Sequence, residues 1–195
     1  MPARASFARS LGWALQPLRP GAQAFASRRR SFEAVPASIV VTSPAFSHAG
    51  PIPLRYTREG EGLSPPLRWS NLPEGTASLV LLVEDADAPT LRPLVHAILC
   101  NIPPVPDALA EGAIPHGRKG AAPDAFEPGR NSVGRRGWLP ISPPLGHGPH
   151  RYGFEFFALD RMMEIRWPPG RGYLLRSIRP YLLAHGCLVG ICQRK

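Results

Sequence analysis

Long apolar runs, each broken at one point by ionisable side chains, mark out the strands of this chain. "SLVLLV" (78–83) is uninterrupted and then meets Glu84, Asp85 and Asp87 within "EDADAP". An apolar run that ends abruptly in acids is expected of a buried strand emerging at the rim of a sheet. "LVHAILC" (94–100) is apolar on both sides of His96, which predicts a central strand with an imidazole largely withdrawn from water. A buried histidine needs a hydrogen-bond partner, and a rim carboxylate would serve. In "HRYGFEFFAL" (150–159) side chains two apart share a face, so His150, Tyr152, Phe154 and Phe156 point one way and Arg151, Gly153 and Glu155 the other. By the same parity Asp85 and Asp87 share a face. Two acids, two histidines and a tyrosine on apolar strands make one candidate pocket.

The rest of the pattern is shorter in period. A first strand is expected near 38–41, followed by the turn-rich stretch "GLSPPLRWSNLPEGT", with Trp69 and Leu72 as its core contacts. From Pro103 to Pro128 proline, glycine, alanine and charges predict a long surface excursion. "GRNSVGRRGW" (129–138) is either a basic anion-steering loop or a solvated turn. In "GYLLRSIRPYLLAHG" (172–186) Leu174, Leu175, Ile178 and Leu182 lie close to an i, i+4, i+8 stripe, which predicts a helix kinked near Pro180 and stopped at Gly186. "CLVGICQ" then forms the last strand.

Composition narrows the class. A chain of 195 residues with 44% hydrophobic content suits one domain with a sizeable core. Its 25 prolines are spread through the sequence, favouring short strands and rigid turns over a helical bundle. The net charge of +9 is concentrated at the start: six arginines precede Glu33, the first acid, and the remainder holds 17 basic against 14 acidic residues. A nucleic-acid partner would have to rest on that leader alone, and none is expected. The boundary is placed at residue 36, with a basic extension (1–36), a short helix or disordered, before one domain (37–195). The leader is either an amphipathic targeting or lipid-touching segment or a short helix packed on the body and followed by a solvated "SRRRS" linker. Pro17 and Pro20 would interrupt a long amphipathic helix and favour the second. No run is long enough to span a bilayer, so membrane contact is peripheral at most. The odd count of cysteines, Cys100, Cys187 and Cys192, without CxxC spacing, points to a reduced, cytoplasmic setting and to Cys100 as a small buried hydrophobe.

Six segments occur together in one order: "LSPPLRW", "LPEGTASLVLLVEDADAP", "LVHAILCNIP", "GRN", "PPLGHGPHRYGF" and "GCLVG". In this the chain, from about Pro36 to Arg194, resembles the phosphatidylethanolamine-binding protein family in its bacterial Raf-kinase-inhibitor-like branch, of the YbhB/YbcL type. The resemblance implies a mainly β fold, antiparallel sheets with a few peripheral helices in a single domain, and a small rim pocket for phosphate or similar anions. It places the pocket acid on Asp85 with Asp87 beside it, the histidines on His96 and His150, the tyrosine on Tyr152, and the wall prolines on Pro89, Pro143 and Pro144. The chain departs from the family at Ala86, where proline is usual, at Ala97, where an aromatic is common, and at Trp138, where tyrosine is usual. These changes leave the polar set intact and bear on the pocket's width and lid.

The function expected is non-enzymatic binding of phosphate or a phosphoethanolamine-like head group, without a cofactor or metal. Asp85 would either hold an imidazolium or receive the ammonium of an ethanolamine group. One alternative is a regulator that binds a kinase or other protein, with the 103–128 excursion as its contact surface. The other is a hydrolase or a two-histidine, one-carboxylate metal enzyme, disfavoured because no HExxH or GxSxG context is present. A homodimer is left open.

Overall fold

The computed structural model describes residues 9–116 and 126–194. Two sheets form. The larger has six strands in the order β2-β9-β8-β4-β5-β7, made by Gly50–Pro51 (β2), Ser78–Asp85 (β4), Leu94–Ile102 (β5), Glu127–Pro128 (β7), His150–Leu159 (β8) and Leu182–Cys192 (β9). The smaller is β1 (Val40–Thr42), β3 (Leu67–Ser70) and β6 (Ala108–Leu109), paired antiparallel in the order β1-β3-β6. All pairings of the large sheet are antiparallel except β2 with β9. The fold is thus mainly β, as the run lengths and proline distribution require.

Parity assigns the two faces of the large sheet. Leu79, Leu81 and Val83 of β4 join Tyr152, Phe154 and Phe156 of β8 in the core shared with Val41, Leu67 and Trp69 of the small sheet. Val80 and Leu82 face the other way, with Ile98, Phe157 and Leu159, against Leu174, Leu175 and Ile178 of the helix Arg171–Ile178. Cover on both sides is why β4 reads as an unbroken apolar run.

Two expectations differ from the structure and a third is met. The helix ends at Ile178, a 3-10 turn spans Arg179–Tyr181, and Leu182 begins the eleven-residue β9. Pairing of Leu182 to Cys192 along the whole of β8 outweighs the helical stripe, and Pro180 sits in the turn rather than at a kink. The excursion after Pro103 supplies β6 and buries Leu109 and Ile114, whereas 117–125 lie outside the described residues. The "GRNSVGRRGW" loop is the solvated turn expected, exposed over 132–136 and pinned at its base. Asn131 is buried, its Oδ1 accepting the Val133 and Arg135 amides and its Nδ2 donating to the Gly137 carbonyl.

The leader also departs from the linker expected. Residues 9–14 are helical, but 22–32 form three 3-10 turns that bury Phe25, Ala26 and Phe32. Phe25 packs over Gly153 of β8, where an added Cβ would lie 2.7 Å from the ring. The Ala26 and Ser27 amides donate to Glu84 and Glu155, two fully buried carboxyl groups on the outer face. Arg171 pairs with Glu84 and also donates to the Ala24 carbonyl at 2.9 Å. Burial, with the Glu84 charge beside it, pushes the Glu155 carboxyl up to about 8. Burial raises Glu84 too, against the opposing pull of Arg171. The segment 21–36 is therefore continuous with the body.

Candidate functional site

The inner face of the large sheet ends in a polar cluster where β4, β5 and β8 meet. Asp85 and Tyr152 are directly paired residues of neighbouring strands, and His150 follows two positions before Tyr152 on the same face. His96 enters through a bulge. The β4–β5 register passes from Val83↔Ala97 to Glu84↔Val95, leaving His96 as the extra residue, turned toward this cluster. Its ring centroid lies 5.2 Å from that of Tyr152, edge to face, and 6.1 Å from Trp138.

Each group has a distinct hydrogen-bonding state. Asp85 accepts the Asp87 amide on Oδ1 at 2.8 Å and meets His150 Nδ1 with Oδ2 at 2.8 Å. His150 Nε2 lies 2.8 Å from Nδ1 of His147, so both of its ring nitrogens are engaged. His96 Nδ1 donates to the Leu139 carbonyl at 2.6 Å, and no hydrogen bond to its Nε2 is formed among the described residues. The partner of the His96 imidazole is thus a backbone carbonyl and not the rim carboxylate that its burial suggested. Burial holds His96 below the ordinary histidine range, only partly countered by the Asp85 charge and the Leu139 bond, and so keeps it neutral with a lone pair on Nε2. Tyr152 is fully buried and its hydroxyl makes no hydrogen bond of ordinary geometry among the described residues, only a weak one toward the Asp85 carboxylate. Burial, reinforced by the Asp85 charge, drives its phenol well above the ordinary value, so the hydroxyl keeps its proton.

Asp85 and Asp87 part company. β4 ends at Asp85, and Asp87, in the following turn, is clamped by Arg151: Nε donates to Oδ2 at 2.7 Å, Nη2 to Oδ1 at 2.6 Å, and the Arg151 amide to Oδ2 at 2.9 Å. Burial alone would raise the Asp87 carboxyl, but these bonds, with Arg19 3.5 Å away, outweigh it and hold it below the ordinary range. Asp87 therefore anchors the turn carrying Asp85, with its oxygens already committed. Pro143 is buried and Pro89 and Pro144 are half-buried, the Pro144 carbonyl accepting the His147 amide at 3.3 Å. In the loop before His150 the Gly146 amide donates to the Arg194 carbonyl and the His147 amide to the Pro144 carbonyl, so neither is available to an anion. Parity thus finds Asp85, His150 and Tyr152 together, and the bulge adds His96.

Sequence reasoning passed over His147, although "GHGPH" sets two histidines on either side of a Gly-Pro turn. It also passed over Arg151 as the partner of Asp87, and the Glu84–Glu155–Arg171 cluster, whose only trace is an acid at 155 inside an apolar strand.

Other nucleophiles are withdrawn. Ser64 Oγ accepts the Ile114 amide at 3.2 Å. Burial pushes the Cys192 thiol, opposite His150 on β9, up to about 11, and Cys100 up to about 12. Among the described residues no group of three His, Cys, Asp or Glu side chains is arranged to hold a metal ion, and no helix is long and apolar enough to cross a membrane.

Comparison with known proteins agrees with this architecture. A UPF0098 protein of Pyrococcus abyssi is 38% identical over 157 residues, covering 80% of this chain and 86% of that one. The crystal structure of a phosphatidylethanolamine-binding protein homologue from Chlamydia trachomatis superposes with a TM-score of 0.72 at 34% identity, covering 82% of this chain and 99% of that one. That of Escherichia coli YbcL, described as a member of the mammalian PEBP family, gives 0.73 at 28% identity, covering 82% of this chain and all of that one. The family model "Phosphatidylethanolamine-binding protein" matches residues 42–193, and the chain belongs to that family, in its YbcL-type branch.

Proposed function

We propose that the chain is a non-enzymatic binding protein for a phosphomonoester or phospholipid head group, held between Tyr152 and His96. The observation that carries this is the Tyr152 hydroxyl, fully buried and without a well-formed hydrogen bond, beside an imidazole whose Nε2 is uncommitted among the described residues. An unsatisfied buried hydroxyl costs about 1–3 kcal/mol, which a ligand oxygen recovers on binding. The pair offers one donor, Tyr152 O–H, next to one acceptor, His96 Nε2. A phosphate carrying one proton presents the complementary pair, P–O⁻ to accept and P–O–H to donate. His150, with both nitrogens engaged, supplies no hydrogen bond to such a ligand and acts through the field of its ring and Asp85 from behind. An ethanolamine ammonium would find lone pairs remaining on Asp85. Ser64 and the thiols of Cys100 and Cys192 are withdrawn, so among the described residues no activated hydroxyl or thiol faces the site, which favours binding over turnover.

Two consequences of opposite sign follow for Tyr152→Phe. The empty protein loses an orphaned hydroxyl and should be as stable as wild type or more so by about 1 kcal/mol, while affinity for phosphoethanolamine should fall about tenfold. Thermal unfolding with and without ligand reads both, and a variant that binds as well as wild type would remove Tyr152 from the site.

The contact with His96 holds one proton whichever partner brings it. A phosphomonoester loses its second proton near a pKa of about 6, so above that the complex must take one up, and affinity should fall by close to tenfold per pH unit. Sulfate, which carries no proton at neutral pH, should bind weakly. Equal affinity for sulfate and phosphate would place the anion elsewhere.

A further inference from the structure

His147 stands behind His150, and the leader stands behind His147. Its Nε2 lies 2.8 Å from the Leu15 carbonyl oxygen, and the two imidazoles are 2.8 Å apart through Nδ1 and Nε2. The leader is fixed there by further polar contacts. Gln16 Nε2 donates to the Gly146 carbonyl at 2.9 Å, Arg19 Nη2 to the His147 carbonyl at 2.6 Å, and the Gly21 amide to the Ala86 carbonyl at 2.8 Å. The loop before His150 and the turn after Asp85 are thereby tied together by one strand of chain. That strand lies outside residues 42–193, the part matched by the family model.

We propose that His147 is a positioning residue of the pocket, and that the leader, through the Leu15 carbonyl, completes the site by fixing the proton arrangement of His147 and His150. The inference rests on the pocket reading above and adds to it a part built by this chain's own leader.

Protons are fixed in number along a linear chain of hydrogen bonds. The chain runs Leu15 carbonyl, His147, His150, Asp85 carboxylate, and both of its ends accept only. The outer ring nitrogens, His147 Nε2 and His150 Nδ1, must therefore both carry hydrogen. The two inner nitrogens face each other and share one more. Two imidazoles thus hold three protons and one positive charge. The charge belongs on His150. Burial holds His147 below its ordinary value, against the opposing pull of the Leu15 bond, whereas His150 Nδ1 faces the Asp85 carboxylate at 2.8 Å. Arg19 Nη2 also lies 3.5 Å from His147 Nδ1, where a second positive charge is unfavourable. Of the other charged groups nearby, Asp87 is neutralised by Arg151, and His96 is neutral. His147 then donates from Nε2 to Leu15 and accepts on Nδ1 from His150 Nε2–H.

Take away the Leu15 carbonyl and this polarity is no longer enforced. His147 is free to turn its proton onto Nδ1, and His150 can then be neutral, carrying hydrogen only toward Asp85. The positive charge behind the anion site is lost. A site residue in the body is thus held in its charged form by a backbone carbonyl of the leader.

Three variants of the full chain separate this from a purely structural role. In His147→Gln the amide can accept from His150 Nε2–H and donate to Leu15, which preserves both bonds. His147→Ala removes both. Gly12→Ala changes no site residue but puts a Cβ 1.9 Å from the Leu145 carbonyl oxygen and 3.0 Å from the His147 backbone nitrogen, so the contact between the leader and the 145–147 loop must open. The readouts are the ¹⁵N shifts of the His150 ring and the affinity for inorganic phosphate. The expected result is a doubly protonated His150 in wild type and in His147→Gln, with phosphate affinity equal within about twofold. In His147→Ala and Gly12→Ala affinity should fall about tenfold, on the order of the attraction of one nearby positive charge for the anion, and His150 should lose its second proton. A neutral His150 in wild type, or a Gly12→Ala variant with the wild-type ring state and affinity, would overturn the proposal. If wild type binds no phosphate, the pocket reading fails, and the ring shifts of the three variants still decide whether the leader sets the state of His150.

Discussion

Arg171→Met is expected to lower stability by about 3–5 kcal/mol near pH 8, the cost of leaving a buried carboxylate without its partner. Arg171 is the cation paired with Glu84, and it also donates to the Ala24 carbonyl of the leader. Glu84 and Glu155 are both fully buried, and Glu155 is already pushed up to about 8 by burial and by its neighbour's charge. With the guanidinium gone, both carboxyl groups would be raised further. A carboxyl whose folded pKa lies above its unfolded value binds more protons in the native state, so stability declines as pH rises between the two values. The penalty should therefore be smaller near pH 5, where the folded protein takes up protons on both groups. Urea unfolding at the two pH values checks this. A penalty that does not change with pH would mean that Arg171 acts by packing alone.

Phe25→Ala should cost about 3–5 kcal/mol, the range for removing a fully buried aromatic. The ring fills the space over Gly153, where a glycine is required because any Cβ would meet it. It also positions the Ala26 and Ser27 amides over Glu84 and Glu155. A loss of that size would show that the leader belongs to the cooperative unit, whereas a loss below about 1 kcal/mol is what a loosely docked extension would give.

The strands that carry the site were legible because burial on both faces leaves an unbroken apolar run, and alternation in β8 assigned His150 and Tyr152 to one face. Asp85 followed from the point at which β4 turns polar. What was hidden depended on partners distant in sequence. Nothing near His96 announces that the Leu139 carbonyl will accept its N–H, since any backbone carbonyl can do so. Asp87 shares parity with Asp85 only if the strand continues, and it stops. What holds the leader was hidden for a similar reason. Its arginines 28–30 face solvent as their charge suggests, and its hold on the body comes from Phe25, Phe32 and backbone amides meeting two acids that are invisible as acceptors in an apolar run. The helix after Gly170 was overextended because a stripe of leucines suits a buried strand as well as a helix, and only pairing with β8 decides between them.

The decisive experiment is calorimetric titration of phosphoethanolamine into the full chain near pH 8, in two buffers of different ionisation enthalpy. If Tyr152 donates and His96 Nε2 accepts, binding takes up close to one proton per ligand, because the phosphomonoester is then almost wholly dianionic. Tyr152→Phe should retain that uptake with weaker affinity. Binding without proton uptake would contradict a neutral His96 facing the ligand, and absence of binding in wild type would contradict the pocket itself.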